Sequence, residues 1–293
     1  MRAARRTLFT AAAVSLAALS LAACGTSAAD SAASSPSATA TATAASCTKA
    51  SLPTLTPGTL TIGTDKPAYE PWFNNNTPNN GKGFESAVAY AVAKQLGYAP
   101  SDVQWVVAPF NSVIAPGDKP FDFDINQVSI TPERAKAVDF SSGYYDVKQA
   151  IITIKGSKIE HAKSIADLKG AKLGAQIGTT SYKVITDIIK PTQQPAVFDT
   201  NDVAKQALAN GQIDGLVLDL PTAFYITAAE LNNGVIVGQF DSKTGEQFGL
   251  VLSKGSKLTQ CVSAAVDTLR SNGTLAGIES QWLAQVANAP VLK

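Results

Sequence analysis

The chain has 293 residues, a formal net charge of +1, a single His and three Cys. One His cannot supply a His-rich metal centre, three scattered Cys cannot make a four-Cys zinc site, and any nucleophile–His catalytic set would have to run through His161. A charge this near neutral lacks the basic excess of nucleic-acid binders, no pattern calls for a metal or a cofactor, and 45% apolar with 16% charged residues is a globular composition with room for one or two domains.

The first segment reads as an export signal. Arg2, Arg5 and Arg6 precede an apolar run over residues 8–22, and no acid occurs before Asp30. The run is too short, and too interrupted by Ser15 and Ser20, for a comfortable membrane span, which makes residues 1–23 a secretory signal peptide. It ends in Leu21-Ala22-Ala23-Cys24-Gly25, which resembles the lipobox of bacterial lipoproteins. That resemblance implies lipid on Cys24 and a protein held on the extracytoplasmic face of the cell membrane; the alternative is an ordinary signal with an incidental Cys. Arg5-Arg6 leaves the export route open between Sec and twin-Arg. Without residues 1–23 the chain loses three Arg and no acid, so its balance becomes −2.

Residues 24–47 form a tether. Nineteen of the 22 positions 25–46 are Ala, Ser or Thr, with no periodic apolar face to offset ordering entropy. A flexible chain of this length spans roughly 25 Å r.m.s..

From Leu60 onward, short β-rich runs alternate with helical stretches, the pattern of an α/β protein. In chain order the strands fall at 60–64, 103–107, 123–126, 172–176, 197–198, 215–219 and 248–252, and the helices at 85–96, 181–190, 202–210, 221–231, 257–271 and 274–285. In the first helix Phe84, Val88, Ala91, Val92 and Leu96 recur at helical spacing and Gly97 stops it. Asn201 or Asp202 is placed to cap the helix carrying Val203, Ala207 and Leu208. Two extended apolar segments, 148–154 and 247–252, flank about a hundred residues with their own strand–helix alternation. A chain that leaves through one such segment and returns through the other makes two lobes on a hinge: residues 48–147 and 249–293 in lobe I, 148–248 in lobe II. Cys261 lies on the helical stripe Leu258, Cys261, Val262, Ala265, Val266, Leu269, so a free core thiol is possible. With Cys24 lipidated, however, Cys47 and Cys261 are an even pair in an exported protein, which favours a disulfide joining the N-terminal entry to this helix.

The strongest motif is Ser129-Ile130-Thr131-Pro132-Glu133-Arg134-Ala135-Lys136-Ala137-Val138-Asp139-Phe140-Ser141 followed by Tyr144-Tyr145. It resembles the signature of the polar amino acid-binding family of ABC-importer solute-binding proteins. The resemblance continues in order through Ile62-Gly63-Thr64-Asp65 with Tyr69-Glu70-Pro71-Trp72, Gly83-Phe84-Glu85, Ala166-Asp167-Leu168-Lys169-Gly170, Gln176-Ile177-Gly178-Thr179-Thr180-Ser181, Asn210-Gly211-Gln212-Ile213-Asp214 with Asp219, and Gly273-Thr274-Leu275 with Trp282-Leu283. It implies a two-lobed, periplasmic-binding-protein-like (type II) fold with a ligand cleft between two mixed-sheet lobes. It further implies an amino acid ligand and an ABC permease as partners, a monomer, and no catalysis. Departures sit around the expected cleft, at Asn126-Gln127, at residues 115–120 and in the loop after Asp65.

An amino acid presents a carboxylate and an ammonium on one carbon. The guanidinium fork of Arg134 matches a carboxylate, and the resemblance assigns it that role; on spacing alone it is equally a surface Arg paired with Glu133 or Asp139. Asp219 ends an apolar strand, where an open α/β sheet faces its crevice, and the resemblance gives it the ammonium; its alternative is to cap the helix entered at Pro221. Thr179 and Thr180 stand where a helix begins and can meet a carboxylate, cap the helix, or do both. Tyr69, Phe110 and Trp72 are candidate aromatic walls, and aromatics are as readily core. Asn126, Gln127 and Ser129 add hydrogen-bonding reach suited to a polar ligand side chain. Asp65 and Glu70 either select a basic side chain or brace loops. His161 lies in a polar stretch and reads as a solvated surface residue. Two other functions fit the same fold: a dehydratase of the cyclohexadienyl or prephenate type, using Asp65 or Glu70 as acid or base, and a lipid-anchored amino acid sensor.

Overall fold

A computed structural model describes residues 47–241, 245–284 and 289–293. The signal peptide, Cys24 and the tether up to Ser46 lie outside the described residues. The body contains two mixed sheets.

The first sheet has the order β2-β1-β3-β10-β4. It consists of β1 (Leu60–Thr64), β2 (Val103–Val107), β3 (Phe123–Asp124), β4 (Val138–Asp146) and β10 (Gln247–Ser253). β1 runs parallel to β2 and β3 and is buried along its whole length, so its apolar residues need no alternation. Helices α1 (Phe84–Gln95), α6 (Thr259–Ser271) and α7 (Thr274–Trp282) lay their apolar stripes on one face, around Phe84, Val88, Val92, Val262 and Val266. A smaller cluster around Phe110, Val113, Phe121 and Val251 covers the other, with the short helix α2 (Phe110–Ile114). Gly83 begins α1 at φ +94°, where a Cβ would lie 2.5 Å from the Trp72 carbonyl oxygen, so only Gly fits this entry.

The second sheet has the order β11-β9-β5-β8-β6-β7. Its strands are β5 (Gln149–Ile154), β6 (Leu173–Gln176), β7 (Ala196–Phe198), β8 (Gly215–Asp219), β9 (Gly234–Phe240) and β11 (Val291–Leu292). Helix α3 (Thr180–Lys183), wound on as a π-helix over Val184–Ile189, packs with one cluster. Helices α4 (Asn201–Ala209) and α5 (Leu220–Tyr225), the latter continued as a π-helix to Glu230, pack with the other. The expected helices at 181–190 and 221–231 therefore exist, but their second halves are wider than α.

Val147 and Lys148 lead from the first sheet into β5 of the second, and after β9 of the second sheet ends at Phe240 the next strand, β10, belongs to the first. β5 and β10 are the two extended segments expected as hinge strands. Cys47 and Cys261 form a disulfide with a Cα–Cα separation of 5.3 Å, fixing the start of the described chain to α6. Three expectations are corrected. Residues 249–293 do not all belong to lobe I, because β11 pairs in parallel with β9 in the second sheet. β4 and β9 are full strands that the strand reading lacked. The cap of α4 is Thr200, whose hydroxyl accepts the Val203 N–H at 3.3 Å, and Asn201 is already inside the helix.

Candidate functional site

A small cavity lies between the two sheets. The first lobe contributes Asp65, Tyr69, Phe110, Asn126, Gln127, Ser129 and Arg134 to it, and the second contributes Gln176, Thr179, Thr180, Ser181, Asn201 and Asp219. Every strand that delivers a residue here does so at its C-terminal end, in the segment that follows or in the first turn of the helix beyond, the position at which open α/β sheets build crevices.

Arg134 is 9% exposed, which excludes the surface-pair alternative. Glu133 instead pairs with Lys183 at 3.3 Å and Asp139 with Lys254 at 3.0 Å. The Arg134 guanidinium donates through Nη1 to the Ser129 carbonyl at 2.7 Å and through Nη2 to the Gly178 carbonyl at 2.9 Å, so it reaches across the lobes. Its Cζ lies 5.3 Å from the centre of the Phe110 ring. Burial pulls its pKa below the ordinary value, opposed by the charges of Glu246, Asp219 and Glu133.

Asp219 ends β8 and leads α5, yet its carboxylate makes no capping bond to that helix. Gln149 Nε2 donates to its Oδ1 at 2.6 Å, and Gln149 Oε1 accepts from Ser181 Oγ at 2.7 Å. Burial first, then the Glu246 charge, push the Asp219 pKa up to about 8, with Gln149 and Arg134 working the other way. Thr179 caps α3 by accepting the Tyr182 N–H at 3.2 Å, and Gly178 before it takes φ +75°.

Gln127 sits in the left-handed region at φ +48°, and both its backbone N–H and its side-chain amide donate to Glu85. Tyr144 donates its hydroxyl to the same carboxylate. Glu85 is fully buried, and burial outweighs these donors to lift its pKa to about 7. Asn126 is 6% exposed and its Nδ2 has no hydrogen-bond partner among the described residues. Asp65 accepts the N–H groups of Lys66 at 2.7 Å and Phe110 at 3.3 Å, bracing the loop while it lines the cavity.

Two expected wall residues lie elsewhere. Trp72 is fully buried in an edge-on cluster with Phe84, Tyr145 and Phe248, at centroid distances of 5.8, 5.6 and 5.6 Å. Its Nε1 donates to Thr222 Oγ1 at 2.8 Å, a contact between lobes outside the cavity. Glu70 does not line the cavity and accepts the Asn75 N–H at 3.2 Å within its own loop. His161 is exposed. Gln149, Gln176, Ser181, Asn201 and Glu246 are additions. The readable signals were a Gln opening the otherwise apolar β5 and another closing β6; Glu246, in a loop, carried none. Among the described residues there is no cluster of metal-ligating side chains, and no helix is long and apolar enough to cross a membrane.

A deep crevice between two hinged α/β lobes, with a cation from one and a carboxyl from the other, defines a binding protein for a small polar solute. Over residues 60–285 the chain matches the bacterial extracellular solute-binding proteins, family 3, and it belongs to that family. It is similar to the L-arginine-binding protein of Pseudomonas aeruginosa, with 29% identity over 224 residues, 73% of this chain and 84% of that one. Among solved structures it resembles an ancestral arginine-binding protein bound to glutamine, with 31% identity, a TM-score of 0.65, and coverage of 78% of this chain and all of that one. It also resembles an ancestral amino acid-binding protein described as a precursor of cyclohexadienyl dehydratase, with 30% identity, a TM-score of 0.61, and coverage of 77% and 95%. The fold is the type II periplasmic-binding-protein fold.

Proposed function

We propose that this solute-binding protein is the lipid-anchored, monomeric receptor of an ABC importer, which captures a polar α-amino acid by closing its lobes and presents it to the permease. The observation that carries the reading is the meeting of Arg134 and Asp219, from opposite lobes, in one cavity. Arg134 takes the ligand's α-carboxylate and Asp219 its α-ammonium, and both charges are then paired only when the lobes are shut. The amides of Asn126, Gln176 and Asn201, the Asp65 carboxylate and the unpartnered Asn126 Nδ2 suit a hydrogen-bonding side chain. The relatives whose names give arginine and glutamine as ligands have side chains of this kind. Lipid on Cys24 and the tether of residues 24–47 keep the body at the membrane.

Calorimetric titration with the common L-amino acids should find one that binds. Arg134→Ala and Asp219→Ala should each weaken it by at least about 100-fold, the scale for removing one partner of a buried charge pair, with the thermal unfolding transition retained. Retained affinity in either variant would overturn the site assignment.

The raised pKa of the Asp219 carboxyl favours a second reading as a general acid on the same fold, in line with the dehydratase precursor among the structural relatives. Incubation with prephenate separates the two: a binding protein leaves it unchanged, and sustained turnover would replace the transport reading.

A further inference from the structure

Glu246 lies in the segment that returns the chain from the second lobe to the first, and the capture described above does not use it. Its Oε1 accepts from Ser129 Oγ at 2.5 Å, from Thr180 Oγ1 at 2.7 Å and from Gln149 Nε2 at 3.3 Å. Ser129 and Thr180 belong to opposite lobes and both line the cavity, whereas Glu246 does not. The carboxylate thus stands behind the two hydroxyls.

A hydroxyl has one hydrogen and two lone pairs. Both hydrogens here are committed to Glu246, so what each oxygen can turn to a ligand is a lone pair. A carboxylate, which only accepts, gains nothing from such an oxygen; an ammonium, which only donates, does. The surrounding charge points the same way. Gln149 Nε2 links Glu246 to Asp219 Oδ1, and the charges of both carboxyls act on Arg134 across the site.

We infer that Glu246 is a positioning residue that fixes the polarity of Ser129 and Thr180, making both hydroxyls acceptors for the ligand's α-ammonium and leaving its α-carboxylate to Arg134. This rests on the capture of an amino acid proposed above. A residue that merely clasped the lobes would alter the affinity of every ligand by the same factor.

The test measures the preference for an amino acid over its deamino acid in wild type, Glu246→Gln and, independently, Thr180→Val. The probes are the tightest binder of the amino acid screen and its analogue: 5-guanidinopentanoate for L-arginine, 4-carbamoylbutanoate for L-glutamine. In Glu246→Gln the side-chain amide can donate to the hydroxyls and release their hydrogens toward the cavity. Affinity for the amino acid should then fall at least tenfold, affinity for the deamino acid should hold or rise, and the preference should shrink at least tenfold. Thr180→Val, which removes one of the two acceptors and leaves the Glu246 side chain and its bond from Ser129 in place, should shrink the preference in the same direction and decides the matter if Glu246→Gln does not fold. An equal loss for both probes, or an unchanged preference, overturns the inference while the capture reading stands. Wild-type protein that binds no amino acid overturns both.

Discussion

The half-buried Asp219 and the fully buried Glu85 tie part of the protein's response to pH to single residues. The pKa of Asp219 is raised to about 8 and that of Glu85 to about 7, in both cases chiefly by burial. In the unfolded chain such groups titrate near ~4. At these two groups the empty folded protein therefore binds more protons than the unfolded one between these limits, and the stability they contribute is fully present at acidic pH and is lost as pH rises from ~4 through 7 and 8. Ligand binding has the opposite sign. An ammonium beside Asp219 lowers its pKa, so capture near pH 7 expels close to one proton, and affinity climbs with pH up to about 8, approaching tenfold per unit. Titrations in buffers of different ionisation enthalpy should show that proton release, and Asp219→Asn should abolish it. A pH-independent affinity in wild type would mean that Asp219 does not meet the ammonium. Arg134 and Asp219 were legible in the sequence because a motif and a strand end mark them. Gln149 showed only as a polar residue opening an apolar strand, and Glu246 not at all, because their partners come from segments 31 to 117 residues away.

At the level of elements, the sequence pattern was most readable where burial is one-sided and regular. The stripe on α6, the fully buried β1 and the apolar run of β8 appear where the sequence pattern placed them. β4 was hidden because it mixes polar and apolar residues and its pairing with β10 shifts register twice, which breaks the alternation a strand signal needs. β11 is two residues long and is held by pairing with β9 and by the buried Leu292, neither of which is a local property. The disulfide closes a separation of 214 residues between the chain's entry and α6. Linking such distant segments restricts the unfolded chain strongly, so the Cys47→Ser, Cys261→Ser double variant should lose about 2–5 kcal/mol of stability. Chemical denaturation should show this as a lower midpoint, while amino acid affinity at low denaturant changes little, because neither Cys lines the cavity. A variant as stable as wild type would show that the packing of α6 alone fixes the N-terminal entry.

For the molecule as a whole, function depends on the balance between open and closed lobes, and the contacts across the crevice differ in what they contribute to it. The Glu133–Lys183 pair is exposed on both sides and adds at most about 1 kcal/mol to closure. The bond from Trp72 Nε1 to Thr222 Oγ1 is different, since both residues are buried when the lobes are shut. That the chain passes between two lobes through two extended segments could be read from the sequence; that a core tryptophan of one lobe is satisfied by the other could not, because nothing in the sequence near Trp72 points to Thr222. Thr222→Val keeps the shape of the side chain and removes the acceptor, leaving the indole N–H unsatisfied in the closed form and free to reach water in the open one. An unsatisfied buried donor costs about 1–3 kcal/mol, and this cost falls on the closed state alone, so ligand affinity should fall on the order of tenfold. Small-angle scattering of the unliganded variant should give a larger radius of gyration than wild type, with saturating amino acid restoring the compact value. Glu133→Ala should leave affinity within about fivefold of wild type and the scattering unchanged. A Thr222→Val protein with wild-type affinity and scattering would show that the hydrogen bond forms equally well in both states, and closure would then rest on the ligand and on the Arg134–Gly178 contact instead.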